Sequence, residues 1–320
     1  MAEGTRAAWP ARSVAVQFVA LAVVWGSSFL FIKIGLEGLS PGQVVLGRVT
    51  SGALALLAAS ALAGQRLPRE RAVWGHLLVV SVLLCVAPFL LFAWAEQHVT
   101  SGVASILNAT TPLMTTLVAL AALPQERPTP TRLAGLATGF AGVLIVLSPW
   151  SVTAAATEAT TSSESRLLGD VACLLATLCY GIAFVHLRRF IAPRRLPSLA
   201  VATGQVGLGA LIMLLLAPVV AAQPVHLTGG VTAAILALGV LGTGLAYVWN
   251  TNVVAGWGAT NASTVTYLTP LVGVVAGALV LGEQVTWNEP AGALIVILGV
   301  LLTQGRLSAR RRRPADLAPH

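Results

Sequence analysis

The chain carries nearly the same long apolar stretch twice, and this duplication restricts its fold more than any other feature. Residues 99–144 and 257–301 align so that Thr111-Pro112-Leu113 falls on Thr269-Pro270-Leu271. Each copy is long and mostly apolar, which predicts two membrane-embedded halves. Duplicated halves of this kind are typical of many transporters.

The composition indicates a membrane protein. Hydrophobic residues make up 56% of the chain and charged residues only 9%, whereas soluble domains carry about 25% charged residues. A bilayer span needs roughly 20 mostly apolar residues. The sequence predicts ten such spans, at 13–35, 42–63, 73–94, 100–122, 130–149, 167–189, 198–220, 230–252, 259–281 and 287–305.

These spans predict an all-α polytopic membrane protein. Open backbone groups find no partners in the bilayer core, so helices are expected. The short alternating segments of a membrane β-barrel do not occur in the sequence.

The basic residues lie in loops rather than in one patch. If both termini share a side, 16 of the 19 Lys and Arg residues fall on that side, and the positive-inside rule makes it the cytoplasm. The run Arg310–Arg313 is best explained by attraction to anionic lipid headgroups. No nucleic-acid partner is predicted.

Each copy of the repeat contains five spans, which is an odd number, so the second copy must enter the membrane from the opposite face. The loop with Glu126 is then cytoplasmic, while the equivalent loop with Glu283 is external and contains no Lys or Arg. Lys33 and Arg188 are equivalent cations, each at the end of its helix. We therefore predict an inverted repeat with a pseudo-two-fold axis in the membrane plane.

The predicted organisation has five parts. They are a cytoplasmic N-terminus (1–12), a first repeat of five helices (13–149), an external polar linker (150–166), a second repeat (167–305) and a basic cytoplasmic tail (306–320). The first span has some features of a secretory signal, but it matches the sixth span, and we expect it to be retained.

No chemistry-bearing cluster is evident in the sequence. Cys85, Cys173 and Cys179 all lie in predicted spans without the close pairing of a metal site, and they are expected to behave as small apolar residues. We predict no cofactor, no metal and no catalytic residue.

Several segments together resemble the EamA family of the drug/metabolite transporter superfamily. In the first half they are Trp25-Gly26-Ser27-Ser28-Phe29, Gly35-Leu36-Glu37-Gly38-Leu39-Ser40-Pro41, Arg48, Thr100-Ser101-Gly102-Val103-Ala104-Ser105 and Thr111-Pro112-Leu113. In the second half they are Trp249-Asn250, Gly258-Ala259-Thr260-Asn261-Ala262-Ser263, Tyr267-Leu268-Thr269-Pro270 and Leu281-Gly282-Glu283.

This resemblance covers about residues 15–305 and departs from the family pattern at Leu123-Pro124-Gln125-Glu126, where Leu-Gly-Glu is usual. It implies ten helices in two inverted repeats and transport of metabolites, often the export of amino acids or related compounds. It does not imply one particular substrate.

The two equivalent prolines, Pro112 and Pro270, each remove a helix hydrogen bond to the carbonyl four residues earlier. The freed carbonyls belong to Asn108 and Thr266. They are candidate partners for a substrate ammonium or hydroxyl group. Two alternatives remain open, namely a structural kink re-satisfied by neighbouring threonine hydroxyls and a hinge without substrate contact.

Polar aromatic side chains form a second set of candidates. Tyr180, Tyr247 and Tyr267, with Asn250, offer apolar faces and single hydrogen-bonding tips, which suit a mostly apolar pocket. For Trp249 a place in the aromatic belt at the membrane surface is the competing explanation.

Arg48 is a charge inside a membrane span, because it is the seventh residue of the second predicted span. It is predicted either to neutralise a substrate carboxylate or to reach headgroups or helix-end carbonyls. The full set of predicted substrate-binding or hinge residues is Arg48, Asn108, Thr111, Pro112, Tyr180, Tyr247, Asn250, Thr266, Tyr267, Thr269 and Pro270.

The predicted mechanism is alternating access, in which the two halves rock about a central site. The resemblance suggests that spans three, four, eight and nine line this site. The predicted partners are a small-molecule substrate and the bilayer, with a monomer favoured over a homodimer. A membrane-embedded enzyme and a lipid-handling or scaffold protein are the alternative functions.

Overall fold

The computed structural model describes residues 11–148 and 160–306. Within these two ranges the chain consists of helices joined by short turns and contains no strand, as the composition predicts. Most of the predicted external linker, the first ten residues and the basic tail with Arg310–Arg313 lie outside the described residues.

Ten longer helical segments and one short helix, Ala259–Ala262, follow one another in the described ranges, and several of the longer segments are interrupted by a break or a wider π-helical turn. The segments are α1 (Ala11–Gly26 and Ser28–Leu36), α2 (Pro41–Leu62), α3 (Arg71–Ser81, Val82–Val86 and Ala87–Ala95), α4 (Ser101–Asn108 and Thr111–Ala122), α5 (Pro130–Leu147), α6 (Thr160–His186, Leu187–Ile191 and Ala192–Arg194), α7 (Ser198–Val220), α8 (Gly229–Leu236, Ala237–Leu245 and Ala246–Trp257), α9 (Val265–Leu281) and α10 (Asn288–Thr303). The π-helical turns are Val82–Val86, Leu187–Ile191 and Ala237–Leu245.

Eight of these segments, α1 to α8, are long and apolar enough to cross a membrane. The last two are apolar but shorter, with 17 residues in α9 and 16 in α10. The sequence predicted a longer ninth span from 259, but the chain turns at Ser263 and Thr264, which separates the short helix Ala259–Ala262 from α9.

Threonine and serine side chains begin several of the helices. The Ser40 hydroxyl accepts from the backbone N–H of Gln43, whose side chain accepts from the Ser40 N–H in return, completing a capping box. Thr100, Thr129 and Thr228 cap α4, α5 and α8 in the same way with one hydrogen bond each. Because these caps satisfy N–H groups that no earlier turn can pair, they define where each helix starts.

Helices of the two halves pack in the same pattern. Each helix of the first half, α1 to α5, has an equivalent in the second half, α6 to α10, in the same order. The pairs α2–α7, α4–α9 and α5–α10 join equivalent helices. The remaining main pairs have counterparts: α1–α8 matches α3–α6, α1–α9 matches α4–α6, and α2–α8 matches α3–α7. The sequence duplication is therefore also a duplication of packing.

Equivalent helices run antiparallel to each other. Along α4 and α9, Ser101 lies against Gly277 and Ser105 lies against Gly273, so the numbering increases on one helix as it decreases on the other. The small residues allow this close contact: a Cβ added at Gly273 would be 2.3 Å from the Ser105 hydroxyl.

The pair α5–α10 repeats this arrangement. A Cβ added at Gly135 would lie 2.6 Å from the backbone nitrogen of Thr303, and one added at Gly142 would lie 2.9 Å from the carbonyl oxygen of Gly292. The glycines of α5 and α10 thus allow close packing within the chain. This pair lies away from the central cavity described below.

Candidate functional site

A cavity of about 620 Å³ lies between the two halves. Its wall is built by residues of α1, α2, α3 and α4 and by their counterparts α6, α7, α8 and α9. The four spans expected to line a central site all contribute, and four further helices join them. Exposed residues of the α6–α7 region, Arg188, Arg195 and Ser198, border the cavity, so it opens at this face of the bundle.

Most of the wall is aromatic and apolar. Phe29 of α1 and Phe92 of α3 pack edge to face with ring centroids 5.4 Å apart, and the Tyr180 ring lies 6.2 Å from that of Phe92. Trp25 donates its indole N–H to the carbonyl of Gly242 at 3.1 Å. Such a wall suits a small ligand with an apolar part.

Arg48 is the buried cation of the cavity, with 9% of its surface exposed. Its guanidinium carbon lies 3.8 Å from the centroid of the Phe89 ring, and its Nε donates to the Thr243 hydroxyl at 3.2 Å. Thr243 in turn donates to the carbonyl of Leu238, five residues earlier in the π-helical turn of α8. The stacked ring and the hydroxyl fix the guanidinium in place.

No carboxylate neutralises Arg48 among the described residues. No ion pair within 4.0 Å involves Arg48, and no Asp or Glu belongs to the described cavity wall. Placing a charge inside an apolar helix bundle costs free energy, and such charges commonly mark functional sites. The guanidinium lies on the cavity wall. The chemistry available here is the binding of an anion.

Two tyrosines extend the polar part of the wall. Tyr247 of α8 accepts a hydrogen bond from the Gln205 side chain of α7 at 3.2 Å. Tyr180 of α6 and Asn250 of α8 also lie on the wall. Since Gln205 sits in the middle of an apolar helix, its amide orients the Tyr247 hydroxyl within the cavity.

The two carbonyls freed by the prolines are re-satisfied by threonines. The Thr111 hydroxyl donates to the carbonyl of Asn108 at 2.7 Å, and the Thr269 hydroxyl donates to the carbonyl of Thr266 at 3.1 Å. All four residues line the cavity. Each of these two carbonyls therefore already accepts a hydrogen bond from one threonine hydroxyl.

The structure brings together most of the predicted site residues. Those on the cavity wall are Arg48, Asn108, Thr111, Tyr180, Tyr247, Asn250, Thr266 and Thr269. Pro112, Tyr267 and Pro270 do not belong to that wall. Tyr267 instead donates its hydroxyl to the Gln304 side chain at 2.5 Å, and Arg306 lies over its ring.

Four important wall residues were not singled out from the sequence, namely Trp25, Phe89, Gln205 and Thr243. Gln205 and Thr243 carried a usable signal, since each is a polar side chain in the middle of an apolar helix. The aromatic residues carried none, because apolar rings are expected throughout such spans.

The far end of the cavity is sealed by contacts between α4 and α9. Glu283, just after α9, accepts hydrogen bonds from the backbone N–H and hydroxyl of Ser101, both at 2.8 Å, and from the N–H of Gly102 at 3.2 Å. Ser105 donates to the carbonyl of Thr269 at 3.1 Å. The carboxylate thus sits on the positive end of α4.

Lys33 strengthens this sealed end. Its ammonium donates to the backbone carbonyls of Glu96 and Val99, the latter at 2.7 Å, in the turn between α3 and α4. Ser101 and Ser105 have no exposed surface. The contacts therefore close the face opposite the opening.

The equivalent residues at the open end make different contacts. Glu126, the counterpart of Glu283, forms ion pairs with Arg132 and Arg188, each at 2.6 Å. Hydrogen bonds from the side chains of Arg132, the larger contribution, and Arg188 hold the pKa of the Glu126 carboxyl below its ordinary value. Ser263, the counterpart of Ser105, lies on the cavity wall. The two ends of one symmetric framework are thus in different states.

Comparison with known proteins gives the family context. The model of the EamA-like transporter family matches residues 12–148 and 167–304, one match for each half. The "Probable terminal-alkyne amino-acid exporter" of Streptantibioticus cattleyicolor is 29% identical over 94% of this chain and 96% of its own length. The "Uncharacterized inner membrane transporter YedA" of Escherichia coli is 25% identical over 90% of this chain and 89% of its own length.

The fold has a solved counterpart. A crystal structure of another protein superposes with a TM-score of 0.65 at 19% sequence identity, covering 94% of this chain and 98% of the other. At this identity the similarity concerns the fold alone.

Proposed function

The chain belongs to the EamA-like transporter family, and we propose that it exports a small carboxylate-bearing metabolite, an amino acid or a related compound, by alternating access. It is a multi-pass protein of the cell membrane. One observation carries the proposal: the cavity between the halves opens at one face and is sealed at the other by α4–α9 contacts.

We infer a topology of ten spans in two inverted halves, with both termini in the cytoplasm. The antiparallel packing of equivalent helices supports the inversion of the two halves. The short helices α9 and α10 lie along α4 and α5, which are long enough to cross a membrane, and this supports a count of ten spans. The arginines at the cavity mouth support a cytoplasmic opening. A reporter fused after His320 should read cytoplasmic, and an external reading would contradict this orientation.

The charges of the cavity wall support this substrate class. Arg48 offers a fixed guanidinium that can bind a carboxylate with two parallel hydrogen bonds. Phe29, Phe92 and Tyr180 provide an apolar surface for a side chain. An amino-acid ammonium group would be met by neutral oxygen atoms, among them the Tyr247 hydroxyl. The name of the Streptantibioticus relative supports an amino acid as cargo.

The mechanism uses the symmetry of the seal. In the outward-open state we expect Ser263 to donate to the carbonyl of Thr111, as Ser105 donates to that of Thr269 in this structure. We also expect Glu126 to leave its arginines and accept from the first turn of the helix Ala259–Ala262. One set of contacts forms as the other breaks, so the cavity never opens to both faces.

Counterflow in proteoliposomes tests the proposed function. Vesicles loaded with an unlabelled mixture of L-amino acids are diluted into the same mixture carrying a radioactive label, and a parallel set uses 2-oxo acids. We expect transient, saturable accumulation of label above protein-free vesicles. Absence of accumulation with both sets contradicts the proposal, and a covalently altered product without exchange favours a membrane-embedded enzyme.

The two sets also distinguish the cargo. Accumulation of amino acids alone shows that the neutral oxygens recognise an ammonium group, while accumulation of 2-oxo acids alone shows recognition of the carboxylate only. Profiling metabolites outside cells that overexpress the chain tests the direction. Export predicts that the counterflow substrate accumulates outside the cells, and its depletion from the medium would indicate uptake.

A further inference from the structure

Glu96 is a buried carboxyl group without a partner. It follows the last residue of α3, and its backbone N–H still bonds to the carbonyl of Phe92, one turn earlier. Its residue surface is 0% exposed, and neither carboxyl oxygen has a hydrogen-bond partner among the described residues. Buried polar atoms are nearly always paired, so this exception requires a physical explanation.

The charged and titratable groups facing Glu96 do not neutralise it. They come from four elements: Lys33 of α1, Arg48 of α2, Cys173 of α6 and Glu283 after α9. Lys33 donates to backbone carbonyls, one of them that of Glu96 itself. Glu283 is bound to the first turn of α4.

Arg48 is fixed by Phe89 and Thr243 on the cavity side. No ion pair within 4.0 Å involves Glu96 in the described part of the chain. A buried carboxylate without a direct partner is costly, whereas a neutral carboxyl costs much less. The site is therefore suited to hold a proton.

The location connects this proton to the sealed end of the cavity. Phe92, one turn before Glu96, lies on the cavity wall, whereas Glu96 does not belong to that wall. On the other side, the Lys33 contacts join Glu96 to the turn that leads into α4, whose first turn holds Glu283. Movement of α4 away from α9 and α1 would therefore break the contacts of Lys33 and Glu283 and change the surroundings of Glu96.

We propose that Glu96 is a proton-binding site of the external seal, occupied while the seal is closed and emptied to the external solution when the seal opens. The O–H bond of the carboxyl breaks, the proton passes to water, and the carboxylate remains hydrated. External alkalinity then favours outward opening, and external acidity favours the closed seal. This inference rests on the proposed alternating access.

Two other buried carboxyls lie near this end and serve for comparison. Glu289 of α10 accepts a hydrogen bond from the Thr286 hydroxyl at 3.2 Å. Asp170 of α6 is 2% exposed, and one of its oxygens is fully buried without a hydrogen-bond partner. Of these three carboxyls, only Glu96 has both oxygens fully buried and without a partner among the described residues. Glu289→Gln is its matched control.

The test measures opening of the seal directly and needs no known substrate. Ser105→Cys is introduced after the three native cysteines are replaced by alanine, and its modification by a membrane-impermeant thiol reagent is followed from outside in proteoliposomes. Val285→Cys, 43% exposed in the α9–α10 loop, gives the intrinsic pH dependence of the thiol reaction. The measured quantity is the ratio of the two rates over an external pH of about 5 to 9, where buried carboxyls titrate.

We expect this ratio to rise with external pH, by up to about tenfold per unit for a single titrating group. Glu96→Gln should make the ratio independent of pH, whereas Glu289→Gln should leave the dependence intact. Glu96→Asp keeps a titratable group and should retain a pH dependence, which guards against a folding defect of the glutamine variant.

The outcomes separate this inference from the proposed function. A ratio that does not change with pH, or a dependence that survives Glu96→Gln, contradicts the role of Glu96 alone. If the thiol of the Ser105→Cys variant is never modified at any pH, alternating access itself is contradicted, and with it the role of Glu96.

Discussion

At the scale of single residues, the site depends on one buried cation. Arg48 is held by an aromatic face and a hydroxyl, and these groups orient the guanidinium without neutralising it. Lysine could not reproduce this arrangement, because its ammonium is a point charge without the planar fork that binds a carboxylate.

Arg48→Gln should weaken counterflow of carboxylate-bearing substrates. Loss of a hydrogen bond to a charged group costs about 1.5–3 kcal/mol, which corresponds to about 10- to 100-fold in apparent affinity. The same variant should leave exchange of the corresponding amino-acid amides nearly unchanged. Equal losses for both kinds of substrate would show a structural role, and Arg66→Gln in the exposed α2–α3 loop is the control.

The site was partly predictable at this scale. Arg48, Asn108 and the tyrosines of α6 and α8 could be selected because polar groups are rare in these spans. Tyr267 could not be placed, because α9 is apolar around its circumference and periodicity does not show which side faces the cavity. It lies against Gln304 instead.

At the scale of helices, the two equivalent prolines occupy different positions in their helices. In α4 the helix breaks at Ala109 and Thr110, and Pro112 lies in the first turn of the part that follows the break. In α9 the helix continues through Pro270 without a break. At each position a threonine hydroxyl donates to the carbonyl four residues before the proline. These are points where a helix can bend without losing further hydrogen bonds.

Replacing either proline by alanine should slow transport more than it reduces folded yield, because the restored hydrogen bond stiffens the helix. The measurement is counterflow rate per folded molecule, with yield followed by size-exclusion chromatography. If yield collapses while the rate per molecule stays the same, the hinge role is wrong.

The α5–α10 contact should tolerate no side chain at its centre. A Cβ at Gly299 would lie 2.4 Å from the backbone nitrogen of Gly139, and overpacking of this kind costs about 1–3 kcal/mol. Gly299→Ala should therefore lower the melting temperature in detergent. Gly207→Ala, where a Cβ meets nothing within 4 Å, should not, and equal effects would contradict the tight contact.

Helix positions were more predictable than their irregularities. Ser40-Pro41 and Thr129-Pro130 are starting signals that can be read locally. The break at Ser27 and the π-helical turn at Ala237–Leu245 have no local signal of comparable strength. They depend on packing partners that lie far away in sequence, such as the Trp25 side chain on the carbonyl of Gly242.

At the scale of the whole molecule, the two halves are alike in pairing and different in state. The α4–α9 pair is closed at the end with Ser105 and Glu283, while Ser263 lies on the cavity wall at the other end. The duplication could be read from the sequence, and so could the equivalence of these residues. Which end is closed could not, because identical contacts are available at both.

The most direct test of alternating access measures both ends in one protein. Spin labels are placed at the exposed positions Gln97 and Gln284 near the sealed end, and in a second sample at Gln125 and Asn261 near the open end, and distances are recorded by pulsed electron resonance with and without the counterflow substrate. We expect the substrate to populate distances that are longer for the first pair and shorter for the second. Distances that stay unchanged, or that lengthen or shorten together at both ends, would contradict alternating access.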